Sequence, residues 1–192
     1  MSRLAEYPAC LHDGVMNRRL IAGTLTLCLM ALASPSARAS PSDFTVTSTA
    51  AVGGVLATDA TCDGAGISPA LAWSHPPKGT KGYAIVMDHL PPEGGHHWYW
   101  LDWGIPAKTR NVAAGATNIG YLGGNSVNRE IGYTPPCSKG PGEKTYTITV
   151  YALSRAPKLP KASTASVTRD ALLAAISTIT LSKAVLDVTY SR

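Results

Sequence analysis

The chain has 192 residues, with 17 Lys and Arg against 12 Asp and Glu, for a formal net charge of +5. That length fits one domain plus a removable leader. The lysines are scattered and the densest group, Lys158 and Lys161, sits in a proline-rich stretch, so the chain lacks the clustered basic face with interleaved aromatics that nucleic-acid binding requires.

In chain order the first element is the leader. Leu20 to Ala33 is an apolar run of 14 residues, preceded by Arg18 and Arg19 and followed by Ala37-Arg38-Ala39. A spanning helix needs about 20 apolar residues, so the run reads as the h-region of a signal peptide, with a membrane anchor as the alternative. Residues 1–39 are assigned to the leader and residues 40–192 to the domain; Met16-Asn-Arg-Arg offers a conventional signal start. Lipidation at Cys28 is disfavoured, because Leu27 stands where a small residue belongs. Cleavage leaves 13 basic and 10 acidic residues, a net +3 that mildly favours an anionic ligand or surface. The expected location is periplasmic or secreted, with no integral membrane segment after cleavage.

Cys10 and Cys28 leave with the leader, and Cys62 and Cys137 remain. In an exported chain such a pair reads as a disulfide, with two nearby buried thiols as the alternative. Closing that loop would stabilise by roughly 4 kcal/mol in the chain-entropy model.

The domain itself reads as all-β. Phe44 to Ser48 alternates, and Ala70 to Trp73 is a short strand framed by Ser68-Pro69 and His75-Pro-Pro77. Gly82 to Asp88 is strongly apolar and reads as a buried strand; Trp98 to Ile105 is another, stopped by Pro106. Strict alternation along the second would place Trp98, Trp100 and Asp102 on one face and Tyr99, Leu101 and Trp103 on the other. The segment from Gly132 to Tyr146, GYTPPCSKGPGEKTY, reads as a rigid loop suited to the wall of a small site, and Tyr146 to Leu153 as the strand that leaves it. Helical spacing is confined to Thr168–Ile179, with Thr168 as N-cap, before Ala184 to Tyr190 returns to strand.

These pieces, in this order, resemble the phosphatidylethanolamine-binding protein family, particularly its bacterial Raf-kinase-inhibitor-like branch. The resemblance runs from Phe44 to Arg192. It rests on Thr61-Cys-Asp-Gly64 followed by Ile67-Ser-Pro-Ala-Leu-Ala-Trp73, on the strand ending at Asp88 with Pro91-Pro92 beyond it, on the Trp-rich strand running into Ile105-Pro106, and on Pro135-Pro-Cys137 with Tyr146 to Leu153. It implies an antiparallel β-sandwich with a short C-terminal helix, near a small preformed pocket for phosphate-like headgroups.

The family pattern builds that pocket from an Asp-Pro-Asp-x-Pro turn, a strand histidine, a Gly-Pro-x-Pro-Pro loop and a His-Arg-Tyr end. Asp88 matches the first aspartate and Pro92 the last proline, while Leu90 replaces the second aspartate. The strand histidine falls on Tyr99; Pro135 and Pro136 keep part of the loop, whose next two prolines become Ser138 and Lys139; Lys144-Thr145-Tyr146 replaces the end. The resemblance therefore implies a ligand site at Asp88, Pro92, Tyr99, Pro135, Pro136, Lys144 and Tyr146. Lys144, the tyrosine hydroxyls and the backbone of Gly140-Pro-Gly142 would supply donors to an anion, and the tryptophans could carry an apolar part of the ligand.

Neither a G-x-S-x-G elbow nor a zinc-protease helix motif occurs, so the expectation is a binding protein for a small anion or phospholipid headgroup, without cofactor, and not an enzyme. One alternative is a protein-interaction or inhibitor module presenting the Pro91 to His97 and Pro135 to Glu143 loops to a protein partner. Another is a metal site at His89, His96 and His97, which the opposed directions of adjacent residues in an extended strand disfavour.

Overall fold

The computed structural model describes residues 43–139 and 142–192. The leader assigned to residues 1–39, and the Gly140 and Pro141 part of the loop, lie outside the described residues.

Strands β1 (Thr45–Thr47), β4 (Leu71–Ser74) and β7 (Asn111–Val112) form a three-stranded sheet in the order β1-β4-β7. The larger sheet takes β2 (Ala51–Val52), β3 (Val55–Leu56), β5 (Gly82–His89), β6 (His97–Pro106), β8 (Tyr121–Leu122), β9 (Lys144–Leu153) and β10 (Thr180–Tyr190). Its order is β2-β3-β10-β9-β5-β6-β8, and the pairings are antiparallel except β10 with β3. Helix α1 (Arg169–Ile176) starts from Thr168, whose side chain accepts from the Ala171 N–H at 3.3 Å, as the N-cap reading expected. β10 follows it within four residues, so the helix precedes the last strand of the domain.

Alternation along β5 sets the layers. Tyr83, Ile85 and Met87 enter a core between the sheets with Val46, Trp73, Ile148 and Val150, while Ala84 and Val86 enter a second core with Leu101, Leu153, Leu172 and Ile176 beneath α1. The result is small sheet, large sheet, helix. An all-β sandwich with one short helix is what the sequence implied. Among the described residues no helix is long and apolar enough to cross a membrane.

The expected face assignment along β6 is corrected. The pairing with β5 shifts register between Tyr83 and Ala84 and again between Met87 and Asp88, where Met87 opposes Trp100 but Asp88 opposes Trp98. The extra residue is Tyr99, so Tyr99 and Trp100 both join the inter-sheet core while Trp98, Leu101 and Trp103 pack on the helix side. A bulge re-aims side chains in this way without any change of composition.

Candidate functional site

Three strand ends meet at one edge of the inter-sheet core. β5 ends on His89; β9 begins at Lys144, with Tyr146 two residues on and therefore on the same face; the β6 bulge turns Tyr99 toward both. The Tyr99 and Tyr146 rings meet edge to face with centroids 5.3 Å apart, and the His89 ring lies 5.3 Å from that of Tyr146. His89 Nδ1 stands 2.7 Å from the Thr145 carbonyl, which ties the end of β5 to β9.

Two loops wall this edge. Ser126 clips the first to β6: its N–H donates to the Trp98 carbonyl at 2.9 Å, and its Oγ accepts from the Trp98 N–H at 2.8 Å. The second runs extended beside β6, with the Thr134 N–H donating to the Tyr99 carbonyl at 2.9 Å. Cys137 in that loop is disulfide-bonded to Cys62 with Cα atoms 5.3 Å apart, and the Cys62 N–H donates to the Pro136 carbonyl at 3.1 Å. Cys62 therefore braces the loop by two independent links.

Between these elements lies a cavity of about 350 Å³, lined by His89, His97, Tyr99, Tyr146 and Lys144, by Pro135, Cys137, Ser138 and Lys139, and by Pro91, Glu93, Ser126 and Val127. Lys144 Nζ donates to Ser138 Oγ at 3.1 Å and to the Lys139 carbonyl at 2.5 Å. Both acceptors are neutral, and among the described residues Lys144 forms no ion pair with a carboxylate. The cation is positioned but its charge is not neutralised. Burial pushes the Tyr99 hydroxyl above the ordinary phenol range, an effect tempered by its hydrogen bond with Tyr146; Tyr146 is driven up further by burial, then by the neighbouring Tyr99 and Tyr190. Both stay neutral donors at physiological pH.

Four of the seven expected ligand residues, Tyr99, Pro135, Lys144 and Tyr146, thus line one cavity. Pro92 lines an adjoining cavity of about 400 Å³ that shares His89, Pro91, Glu93 and Lys144 with the first. Pro136 is buried behind the wall, where its carbonyl holds Cys62. Asp88 faces the other way. As the neighbour of His89 it turns to the helix side, where it accepts from Arg169 Nε and lies 3.1 Å from His96 Nδ1. The tryptophans do not line the cavity either: Trp100 and Trp103 are core, and Trp98 donates its Nε1–H to the Gly124 carbonyl at 2.7 Å.

Two residues of the wall stood in the sequence in other roles, His89 as a candidate metal ligand and Ser138 as the replacement of a loop proline. Alternation from Asp88 was the available signal for His89; Ser138 carried none. The three histidines do not form one ligand set, since His96 sits on Asp88, and among the described residues no three His, Cys, Asp or Glu side chains are grouped to hold a metal ion.

A family model described as phosphatidylethanolamine-binding protein matches residues 46–191. The chain belongs to the phosphatidylethanolamine-binding protein family. Among relatives, a UPF0098 protein of Chlamydia trachomatis is 30% identical over 136 residues, which cover 68% of this chain and 87% of the relative. A UPF0098 protein of Aquifex aeolicus is 34% identical over 100 residues, 49% of this chain and 58% of the relative. A Mycobacterium tuberculosis protein named as the lipoprotein LppC is 35% identical over 118 residues, 60% of this chain and 58% of that protein. The chain thus spans somewhat more than half the length of the Aquifex and mycobacterial relatives.

Among solved structures, the phosphatidylethanolamine-binding protein homolog CT736 from Chlamydia trachomatis superposes with a TM-score of 0.69 at 29% identity, covering 78% of this chain and 97% of CT736. Escherichia coli YbcL, described as a member of the mammalian family, superposes at 0.68 and 24% identity over 79% and 99% of the two chains, a likeness of fold. A disulfide within the domain is a feature that persists in oxidising compartments.

Proposed function

We propose that this protein is an exported binding module for a small phosphate-like anion, held in the cavity between Tyr99, Lys144 and Tyr146, and that it carries out no chemistry on it. The observation that carries this reading is Lys144. Its ammonium is fixed by Ser138 Oγ and the Lys139 carbonyl, two neutral acceptors, so a cation with donor capacity to spare faces a cavity where neutral tyrosine hydroxyls also donate.

The family's name supports a headgroup as the source of the anion. So does the rim. Val127, 56% exposed, borders the cavity, and Leu90, 59% exposed, borders the adjoining one, so apolar surface is offered just outside the polar floor. A ligand with an anionic head and an apolar remainder matches that arrangement better than a free ion, and the disulfide supports a periplasmic or secreted location.

Titration calorimetry with inorganic phosphate and with a short-chain phosphatidylethanolamine below its micellar concentration tests the reading. The lipid should bind more tightly than phosphate, and Lys144→Ala should weaken both by about tenfold or more, the worth of a charge-assisted hydrogen bond. Unchanged affinity in a folded Lys144→Ala protein would remove the cavity as the binding site.

A further inference from the structure

Two imidazoles, His89 and His97, share the cavity wall with Lys144. They are held differently. His97 is exposed at the start of β6, whereas His89 is half-buried at the end of β5 with Nδ1 on the Thr145 carbonyl at 2.7 Å and its ring against Tyr146. A carbonyl can only accept, so the neutral His89 ring carries its proton on Nδ1 and leaves Nε2 as a bare acceptor. An acceptor repels an anion. Once the ring takes a second proton, Nε2 becomes a cationic N–H donor at the same place, with its orientation already fixed by Thr145.

The groups facing His89 are few enough to name. β9 contributes Lys144, the Thr145 carbonyl and Tyr146; the loop before β9 contributes Lys139 and Glu143; β6 contributes Tyr99 and His97; the turn after β5 contributes Glu93. Asp88, its neighbour on β5, faces the helix side and is taken up by Arg169 and His96. Between about pH 5.5 and about pH 8, carboxylates and ammonium groups ordinarily keep their charge while imidazoles change theirs. The buried phenols stay neutral.

We propose that the cavity selects a tetrahedral dianion, gripped jointly by Lys144 Nζ and the protonated Nε2 of His89, so that binding of an anion that stays doubly charged, as sulfate does, tightens on acidification. A phosphate monoester terminus, whose second proton leaves at about pH 6, fits while it is doubly charged. This rests on the anion reading above. A single cation suffices for a monoanion, but a dianion drawn into a part-buried site needs a second compensating charge. His89 supplies it from a position that the family pattern gives to proline.

Calorimetry with sodium sulfate, a dianion throughout this range, tests the proposal on the mature protein at about pH 5.5 and about pH 8, with sodium nitrate as the monoanion. Sulfate affinity should rise about tenfold or more on acidification, and nitrate affinity by clearly less. His89→Gln should lose most of the gain, while His97→Gln loses clearly less of it. Sulfate binding that is flat with pH, or a gain that survives in His89→Gln or disappears in His97→Gln, would overturn the assignment to His89 and leave the anion reading standing. No binding of sulfate or phosphate by the unaltered protein at either pH would sink both.

Discussion

Asp88 and His89 are adjacent in the chain and lie on opposite faces of the same sheet. On the helix side Asp88 is closed off: 8% exposed, bonded to Arg169 at the start of α1 and approached by His96, with Tyr151 beside it. On the other side His89 opens onto a cavity whose lysine lacks a carboxylate partner among the described residues. One face has satisfied its charge internally and the other holds a positioned cation beside empty volume. A buried ion pair holds elements together, whereas an uncompensated cation invites a ligand. The difference separates a structural carboxylate from a binding site within two consecutive residues.

The comparison is broken most forcefully through the disulfide. Cys137 belongs to the cavity wall and Cys62 to the Thr61–Gly64 turn, whose Asp63 is in turn engaged by Tyr190 and, at 2.9 Å, by Arg192. The paired change Cys62→Ala and Cys137→Ala should cost roughly 4 kcal/mol on urea denaturation in the chain-entropy model, and should also weaken anion binding, because the wall that carries Ser138 loses its brace. Loss of stability with full retention of affinity would mean that the hydrogen bond from Cys62 to Pro136 is brace enough.

Asp102 provides a smaller effect that belongs to neither face's chemistry. It is 1% exposed, its Oδ1 has no hydrogen-bond partner among the described residues, and burial raises it to about 7 despite a hydrogen bond with the Trp103 backbone. Because the folded value lies above the ordinary 3.8, the protonated form is the one the fold prefers. Its contribution is fully present below about pH 4 and is lost as pH rises toward about 7, a ceiling of about 4 kcal/mol that local relaxation brings to about 2–3. Asp102→Asn should flatten the stability profile across that window and raise stability at about pH 8, as read by urea midpoints. An unaltered slope would place the carboxyl in contact with water. Gly120 allows this packing, since a Cβ there would collide with Oδ1.

Much of the layering was legible in the sequence because it follows from periods of two and of 3.6. The runs at Gly82 to Asp88, Trp98 to Ile105 and Tyr146 to Leu153 became β5, β6 and β9, and the Thr168 cap became the start of α1. The site was legible only in part. Pairing of Lys144 and Tyr146 on one face follows from their spacing, but the aim of Tyr99 does not, because a bulge shifts the face of every residue beyond it and its position is set by the partner strand. Asp88 fails for the converse reason: the family pattern fixed its place in the chain, while its partner Arg169 lies 81 residues away on an element whose docking no local pattern reveals.

The mildest test is also the one that separates the two faces. Asp88→Ala would leave the Arg169 guanidinium, 16% exposed, without its main partner and with only the exposed Asp170 at 3.4 Å. Breaking a buried pair from one side costs about 3–5 kcal/mol, and the residual access to water lowers this to about 2 kcal/mol here. Arg169→Met in the same background should recover part of that loss, since the uncompensated charge is then gone. Phosphate and sulfate affinities should stay within about twofold throughout, because the intervening sheet is held by the backbone pairing of β5 with β9 rather than by Asp88. A fall in affinity that tracks Asp88→Ala at unchanged stability would return this carboxylate to the ligand site.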